Sequence, residues 1–127
     1  MLHRYTKHYT LDEARALLPQ IRGWLKRLRE ALARLAKHDK RLQDLSEPGR
    51  ELGGEAVNKW VRNLADLKEV LLEFERREIQ IKDLDRGLMD FPAILDGKEV
   101  FLCWEAKEDD IGFWHELDSG FGGREPL

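Results

Sequence analysis

The chain has a single cysteine, Cys103, so no internal disulfide can form, and a reducing cytoplasm is the natural compartment. No run of even ten apolar residues occurs, which excludes a membrane-spanning helix. The basic, His-containing start MLHRYTKHYT lacks the apolar centre of a signal peptide. There is no excess of positive charge either. Lys+Arg 22 against Asp+Glu 25 leaves −3, which argues against nucleic acid and membrane surfaces as partners. Asn and Gln are scarce beside heavy Glu, Arg and Leu, a composition that leans thermophilic. The strong chemical motifs are missing too: no H-E-x-x-H, C-x-x-C, Walker loop or G-x-S-x-G, and no E-x-x-H for a di-iron bundle. What remains is a 127-residue chain, 42% hydrophobic and 37% charged, expected to fold as a single domain over residues 1–127. The sequence discloses an architecture and one candidate site, and leaves open whether the protein is an enzyme.

Thr10-Leu11-Asp12-Glu13 reads as a capping box, with Tyr9 placed to staple the first turn. Behind it, Leu11, Ala14, Leu18, Ile21, Leu25, Leu28, Leu32 and Leu35 alternate spacings of three and four, a heptad seam of a long helix, with a kink or break expected at Pro19. Leu17, Trp24, Ala31 and Leu45 form a surplus ridge that needs a cover. Ser46 to Gly54 punctuates the chain with Pro and Gly. A second helix follows, its seam expected at Val57, Trp60, Leu64, Leu67, Leu71 and Phe74. The two helices, about residues 11–45 and 55–77, are expected to pair as an antiparallel hairpin within the segment 10–78.

After Glu78 the apolar period falls to two. Ile79-Gln80-Ile81 opens a strand, Asp85-Arg86-Gly87 and Asp96-Gly97 are hairpin turns, and Lys107 to Asp110 is a third turn. The expected fold is α+β: a long helical hairpin (10–78), a four-stranded antiparallel β-meander (79–118) and a Gly-rich tail (119–127). Closing the turns predicts Phe91 opposite Leu102, Met89 opposite Trp104, Leu102 opposite His115 and Trp104 opposite Phe113. Ile81, Met89, Phe91, Leu102, Trp104, Phe113 and His115 would then share the helix-facing side. Lys82, Asp90, Pro92, Phe101, Cys103, Glu105 and Trp114 would share the other, with Lys82 reaching Asp90 and keeping it ionised. An Asp90–Cys103–Trp114 row is too apolar for a plain solvated face and fits a ligand site or subunit contact.

Thiolate, imidazole and carboxylate are zinc-type donors, but this register sets Cys103 and His115 on opposite faces. His115 then reads as a core histidine and Cys103 as an inert small hydrophobe. Gly120-Phe121-Gly122-Gly123-Arg124 could cradle an anion, though a flexible tail is the simpler reading, and the Lys37–Arg41 run reads as a solvated helix end.

Several stretches are similar to a bacterial family, the domain of unknown function 2203. They are Tyr9 to Pro19, Lys82-Asp83-Leu84-Asp85-Arg86-Gly87-Leu88, Asp90-Phe91-Pro92-Ala93, Leu102-Cys103-Trp104, Trp114-His115, and Asp118 to Pro126. The resemblance covers nearly the whole chain and is weakest from about Lys37 to Glu55. Members are sometimes labelled as related to cell-division initiation proteins, which the helical heptads alone explain. The resemblance implies no activity. It does imply that Asp90, Cys103, Trp104, Trp114, His115, Asp118 and Arg124 are the positions to examine.

Two functions follow as expectations. The preferred one is a non-enzymatic, homo-oligomeric binding or scaffold protein, dimerising through the helical hairpin and burying Trp24 or Trp60. The alternative is a metal- or small-ligand-binding protein, an enzyme included, with a divalent ion at His115 and Asp118 together with Glu105, Asp90 or Cys103.

Overall fold

A computed structural model describes residues 2–45 and 54–127, so most of the expected loop at Ser46 to Gly54 lies outside the described residues. The elements are α1 (Leu11–Leu45), α2 (Gly54–Arg76), β1 (Gln80–Asp83), β2 (Leu88–Leu95), β3 (Lys98–Trp104), β4 (Phe113–Glu116), a 3₁₀ turn at Phe121–Gly123 and β5 (Glu125–Pro126). The chain divides into two compact units, residues 1–23 with 74–127, and residues 24–73.

In the first unit the capping box forms as expected. The Thr10 amide donates to Glu13 Oε1 at 2.9 Å, and the Glu13 amide donates to Thr10 Oγ1 at 3.1 Å. The helix runs on through Pro19 without the expected break; the proline sits on an exposed face. Ala14, Leu18 and Ile21 are buried, as are Phe74, Met89, Phe91, Leu102, Trp104 and Ile111. All strands form one antiparallel sheet in the order β1-β2-β3-β4-β5. There are five strands rather than four. The tail, expected to be flexible, supplies the fifth: Phe113 pairs with Pro126 and Trp114 with Glu125.

The β2–β3 hairpin has the expected register, because Asp96 (φ 51°) and Gly97 (φ 77°) make a turn with two left-handed residues, which leaves one way to pair the strands. The β3–β4 register is one residue off the expectation. Leu102 faces Trp114, Phe101 faces His115 and Cys103 faces Phe113. The reason is the connection: β3 ends at Trp104, and residues 105–112 form an irregular loop instead of a four-residue turn. Within it the Glu105 amide donates to Glu108 Oε1 at 2.9 Å and the Glu108 amide to the Glu105 carbonyl at 2.9 Å. A one-residue slip exchanges the faces of every side chain on a strand. His115 and Phe113 therefore leave the Trp104 face and join Asp90, Phe101 and Cys103. The β1–β2 register is displaced by two residues: Asp83 already faces Leu88 beside the turn, a bulge between Ile81 and Asp83 adds one more, and Gln80, not Lys82, pairs with Asp90.

Residues 2–9 are fastened by two carboxylates. Glu99 accepts from the Arg4 amide (2.7 Å) and the Tyr5 amide (3.0 Å), and its Oε2 lies 2.7 Å from His8 Nε2. Glu78 accepts from the Thr6 and Lys7 amides at 3.1 and 3.0 Å and from the Thr6 hydroxyl. Tyr9 is buried: its amide donates to the Pro92 carbonyl (2.7 Å) and its hydroxyl to the Arg77 carbonyl (2.8 Å).

In the second unit, Leu25, Leu28, Ala31 and Leu35 are buried on α1. Ala31 replaces the expected Leu32, which is half-buried, because a straight α-helix drifts about 20° per heptad from a 3.5 repeat. On α2 the inward stripe is displaced from the expected one. Asn63 and Val70 are buried, whereas Val57, Leu64 and Leu71 are 36–41% exposed. The polar Asn63 is what makes this possible, since Arg34 Nε donates to its Oδ1 at 3.0 Å and satisfies it.

Burial alone would raise the Glu99 pKa, but hydrogen bonds from His8 and the Arg4 and Tyr5 amides outweigh it and hold the carboxyl at about 2. A depressed carboxylate stabilises the fold above its ordinary pKa of about 4.3 and stops doing so as pH falls toward 2. We predict that NMR titration of the Glu99 carboxyl gives a midpoint near 2. Glu99→Ala is expected to abolish exchange protection of the Arg4 and Tyr5 amides at neutral pH. A midpoint in the ordinary range would show that Glu99 does not hold this segment.

Candidate functional site

The sheet face away from Trp104 gathers the chemistry. Asp90 comes from the middle of β2, Cys103 from its direct partner position on β3, and His115 from β4 opposite Phe101. All three are buried, with 2%, 0% and 2% of their surface exposed. One ligand atom from each, the Asp90 carboxylate, the Cys103 thiol and a His115 ring nitrogen, lies within 4.8 Å of the other two. The corrected register thus unites side chains that the sequence reading had separated.

His115 fixes its own protonation. Its Nδ1 lies 2.7 Å from the Glu116 carbonyl, which only accepts, so Nδ1 carries a proton. Nε2 lies 3.0 Å from Asp90 Oδ1, and one further proton is shared between them. Burial raises the Asp90 pKa, and His115 counters that only in part, with Cys103 and Lys82 adding smaller effects. Lys82 acts on Asp90 in the expected direction but is the smallest of these effects; its ammonium stands 5.5 Å over the Phe101 ring. Burial, and then the neighbouring Asp90, push the Cys103 thiol up to about 12, against the opposing pull of Arg124. Among the described residues no buried side-chain nitrogen or oxygen lacks a partner.

A cavity of ≈ 440 Å³ reaches Asp90 and His115, with Arg4, Lys82, Asp118 and Phe121 among its walls. Asp118 is exposed and pairs with Arg4 at 3.1 Å. Glu105 is buried but turned to Arg86 (2.8 Å) and Lys107 (3.4 Å). Trp104 lies on the helix-facing side, under the Arg22 guanidinium at 4.9 Å, and its Nε1 donates to the Glu108 carbonyl at 2.9 Å. Trp114 is half-buried and shares that side of the pairing with Leu102. Arg124 is engaged within the chain. Its guanidinium makes two bonds to Glu108, at 3.1 and 2.7 Å, stacks on Phe113 and Phe121, and reaches Cys103 Sγ at 3.9 Å.

A family model described as "Uncharacterized conserved protein (DUF2203)" matches residues 7–127. The chain belongs to this family. No curated protein and no solved structure matches it. The DUF2203 match spans the whole of the Asp90–Cys103–His115 cluster and the carboxylates Glu78 and Glu99.

A second convergence in this DUF2203 chain escaped the sequence reading: His3, His8 and Glu99 also bring one ligand atom each within 4.8 Å of the others. Two histidines five residues apart in a short lead-in were the available signal. Nothing in the sequence placed Glu99 beside them.

Arg124 and Glu108 are 14% and 16% exposed at their side chains, so the pair is largely desolvated. Burial alone would raise the Glu108 pKa; the Arg124 guanidinium and the Glu105 amide outweigh it and keep the carboxyl low. Removing one partner of such a pair strands the other. Arg124→Ala is expected to cost roughly 3 kcal/mol in urea unfolding, the lower end of the range for breaking buried pairs. Glu108→Gln should cost a similar amount and the double variant little more than either. Fully additive losses would show that the two side chains are not coupled.

Proposed function

We propose that this protein binds a zinc-like divalent metal ion at Asp90, Cys103 and His115. The observation that carries the reading is the convergence of three buried donors of different types, carboxylate, thiol and imidazole, within 4.8 Å. These are the donor types a borderline-soft ion selects. The His115 ring is already oriented as a ligand would be, with Nδ1–H held by a backbone carbonyl and Nε2 turned into the cluster. Protons now stand where an ion would stand: one shared by Asp90 and His115, one on Cys103. Metal binding would displace both, so affinity should rise with pH. Asp90 and His115 line the cavity, so an ion held there would be open to a small ligand from that side. Lys82 in the same wall favours a ligand with negative charge.

Tag-free protein carrying His3→Ala, which removes the second convergence of donors, is loaded with Zn²⁺ and gel-filtered, and is expected to retain one equivalent in elemental analysis. Cys103→Ser and His115→Ala should each abolish retention of that equivalent. Retention unchanged in both variants, or none in the parent protein, would put the function elsewhere.

A second reading, a homodimeric scaffold, is supported by the outer face of α2. Val57, Val61, Leu64 and Leu71 are 36–52% exposed and follow helical spacing. The contacts Arg27–Glu69, Arg34–Asn63, Arg34–Asp66 and Asp39–Trp60 run in opposite senses along α1 and α2, which supports an antiparallel helical hairpin. Val57 and Leu71 are equidistant from Leu64 on this face. An antiparallel second copy centred on Leu64 would match apolar to apolar. Sedimentation at micromolar concentration should then give twice the 14.9 kDa chain mass, and Leu64→Glu should give the monomer. A monomeric parent protein would rule this face out as a dimer contact.

A further inference from the structure

We propose that His3, His8 and Glu99 form a second, solvent-facing site for a divalent transition metal ion such as Zn²⁺, Co²⁺ or Ni²⁺. The donor set is two imidazoles and a carboxylate, which suits these ions and not Ca²⁺ or Mg²⁺, whose shells are built from oxygen. The ligand atoms lie within 4.8 Å of one another, and His8 Nε2 is already 2.7 Å from Glu99 Oε2. Donors around a tetrahedral ion with bonds of about 2.0–2.1 Å stand roughly 3.3–3.4 Å apart. Closing onto an ion therefore asks only for small shifts, and His3 is exposed and free to make them.

The carboxylate is held as a ligand should be held. The Arg4 and Tyr5 amides donate to its two oxygens, fixing its orientation from the backbone. A His8–Glu99 ion pair alone leaves the position of His3 without a reason. Its ring packs edge-on to His8 with centroids 5.0 Å apart, an arrangement that two protonated imidazoles would resist and a shared ion would hold. The guanidinium of Arg4, next to His3 in the chain, is engaged by Asp118 and so does not set a bare charge against the ion. Histidines close to the start of the chain and a glutamate at the start of β3 become one closed loop when the ion binds. The site shares no ligand with Asp90, Cys103 and His115.

Cobalt distinguishes the two sites, because only the cluster containing Cys103 can give thiolate-to-cobalt charge-transfer absorption. Protein carrying no affinity tag is titrated with Co²⁺ in the Cys103→Ser background. The expected result is one equivalent bound, with ligand-field bands and no thiolate band. In that background His3→Ala and His8→Ala should each weaken Co²⁺ binding by at least the roughly 10–100-fold that loss of a mere outer-shell partner costs. Zn²⁺ should shift the ring resonances of both histidines in NMR spectra and leave His115 unmoved. Failure of Cys103→Ser protein to bind Co²⁺, or binding that neither His3→Ala nor His8→Ala weakens, would overturn the proposal. Because the cluster is disabled in this background, either outcome is independent of what metal binds at Cys103.

Discussion

Glu108 decides the path of the chain between β3 and β4, and the outer sheet face depends on that path. Its carboxylate accepts from the Glu105 amide and from Arg124, and its carbonyl accepts from the Trp104 indole at 2.9 Å and from Arg22 Nη2 at 2.9 Å. One residue thereby ties together the end of β3, the start of α1 and the tail that becomes β5. With the loop held in this form, β4 enters the sheet one residue away from the register that a plain four-residue turn would impose. Cys103 and His115 share a face only in this register. Arg124 completes the arrangement by stacking between Phe113 and Phe121, so the tail lies over the same face that the register created.

What could be read in the sequence was whatever local chemistry specifies. The capping box at Thr10 and the hairpin at Asp96-Gly97 are short-range devices, and both stand as read. So does the change of period after Glu78, because alternation is a property of the strand itself. The errors share a different cause. The β3–β4 register depends on a glutamate whose partners lie in three other elements, and no local pattern encodes that. The α2 stripe departs from the expected seam because polar Asn63 lies inward, where Arg34 satisfies it from the neighbouring helix. Shifting the seam by one position moved Val57, Leu64 and Leu71 outward. The tail was read as flexible because its Gly-rich composition gives no strand signal. Its order comes from the Arg124 guanidinium, a tertiary contact.

The candidate site residues divide along the same line. Asp90 and Cys103 could be placed side by side because the turn between their strands is local and unambiguous. His115 could be singled out but not placed. Asp118 reaches the cavity but is paired with Arg4, and Glu105 is held by Arg86 and Lys107, so neither is among the three donors that converge. Glu99 and Glu78 were invisible as anchors, since a carboxylate that binds backbone amides from a distant segment looks like any exposed glutamate in sequence. The fold uses this device twice on residues 2–9, and both carboxyls are held below their ordinary range.

Cysteine, histidine and aspartate together also describe a nucleophilic triad, and the geometry separates that chemistry from metal binding. In a triad the imidazole takes the thiol proton through one nitrogen while the carboxylate holds the other. Here both nitrogens of His115 are already engaged, Nδ1 by the Glu116 carbonyl and Nε2 by Asp90. Taking the Cys103 proton would require Nε2 to give up Asp90, leaving a buried carboxyl without its partner. The thiol itself is fully buried and pushed up to about 12, far from the thiolate that attacks at neutral pH. A metal ion at the proposed site would remove each obstacle at once: His115 would offer the Nε2 lone pair without turning its ring, Asp90 would give up the shared proton, and the ion's positive charge would stabilise a buried thiolate at Cys103. The burial that disables Cys103 as a nucleophile is thus compatible with its proposed role as a ligand.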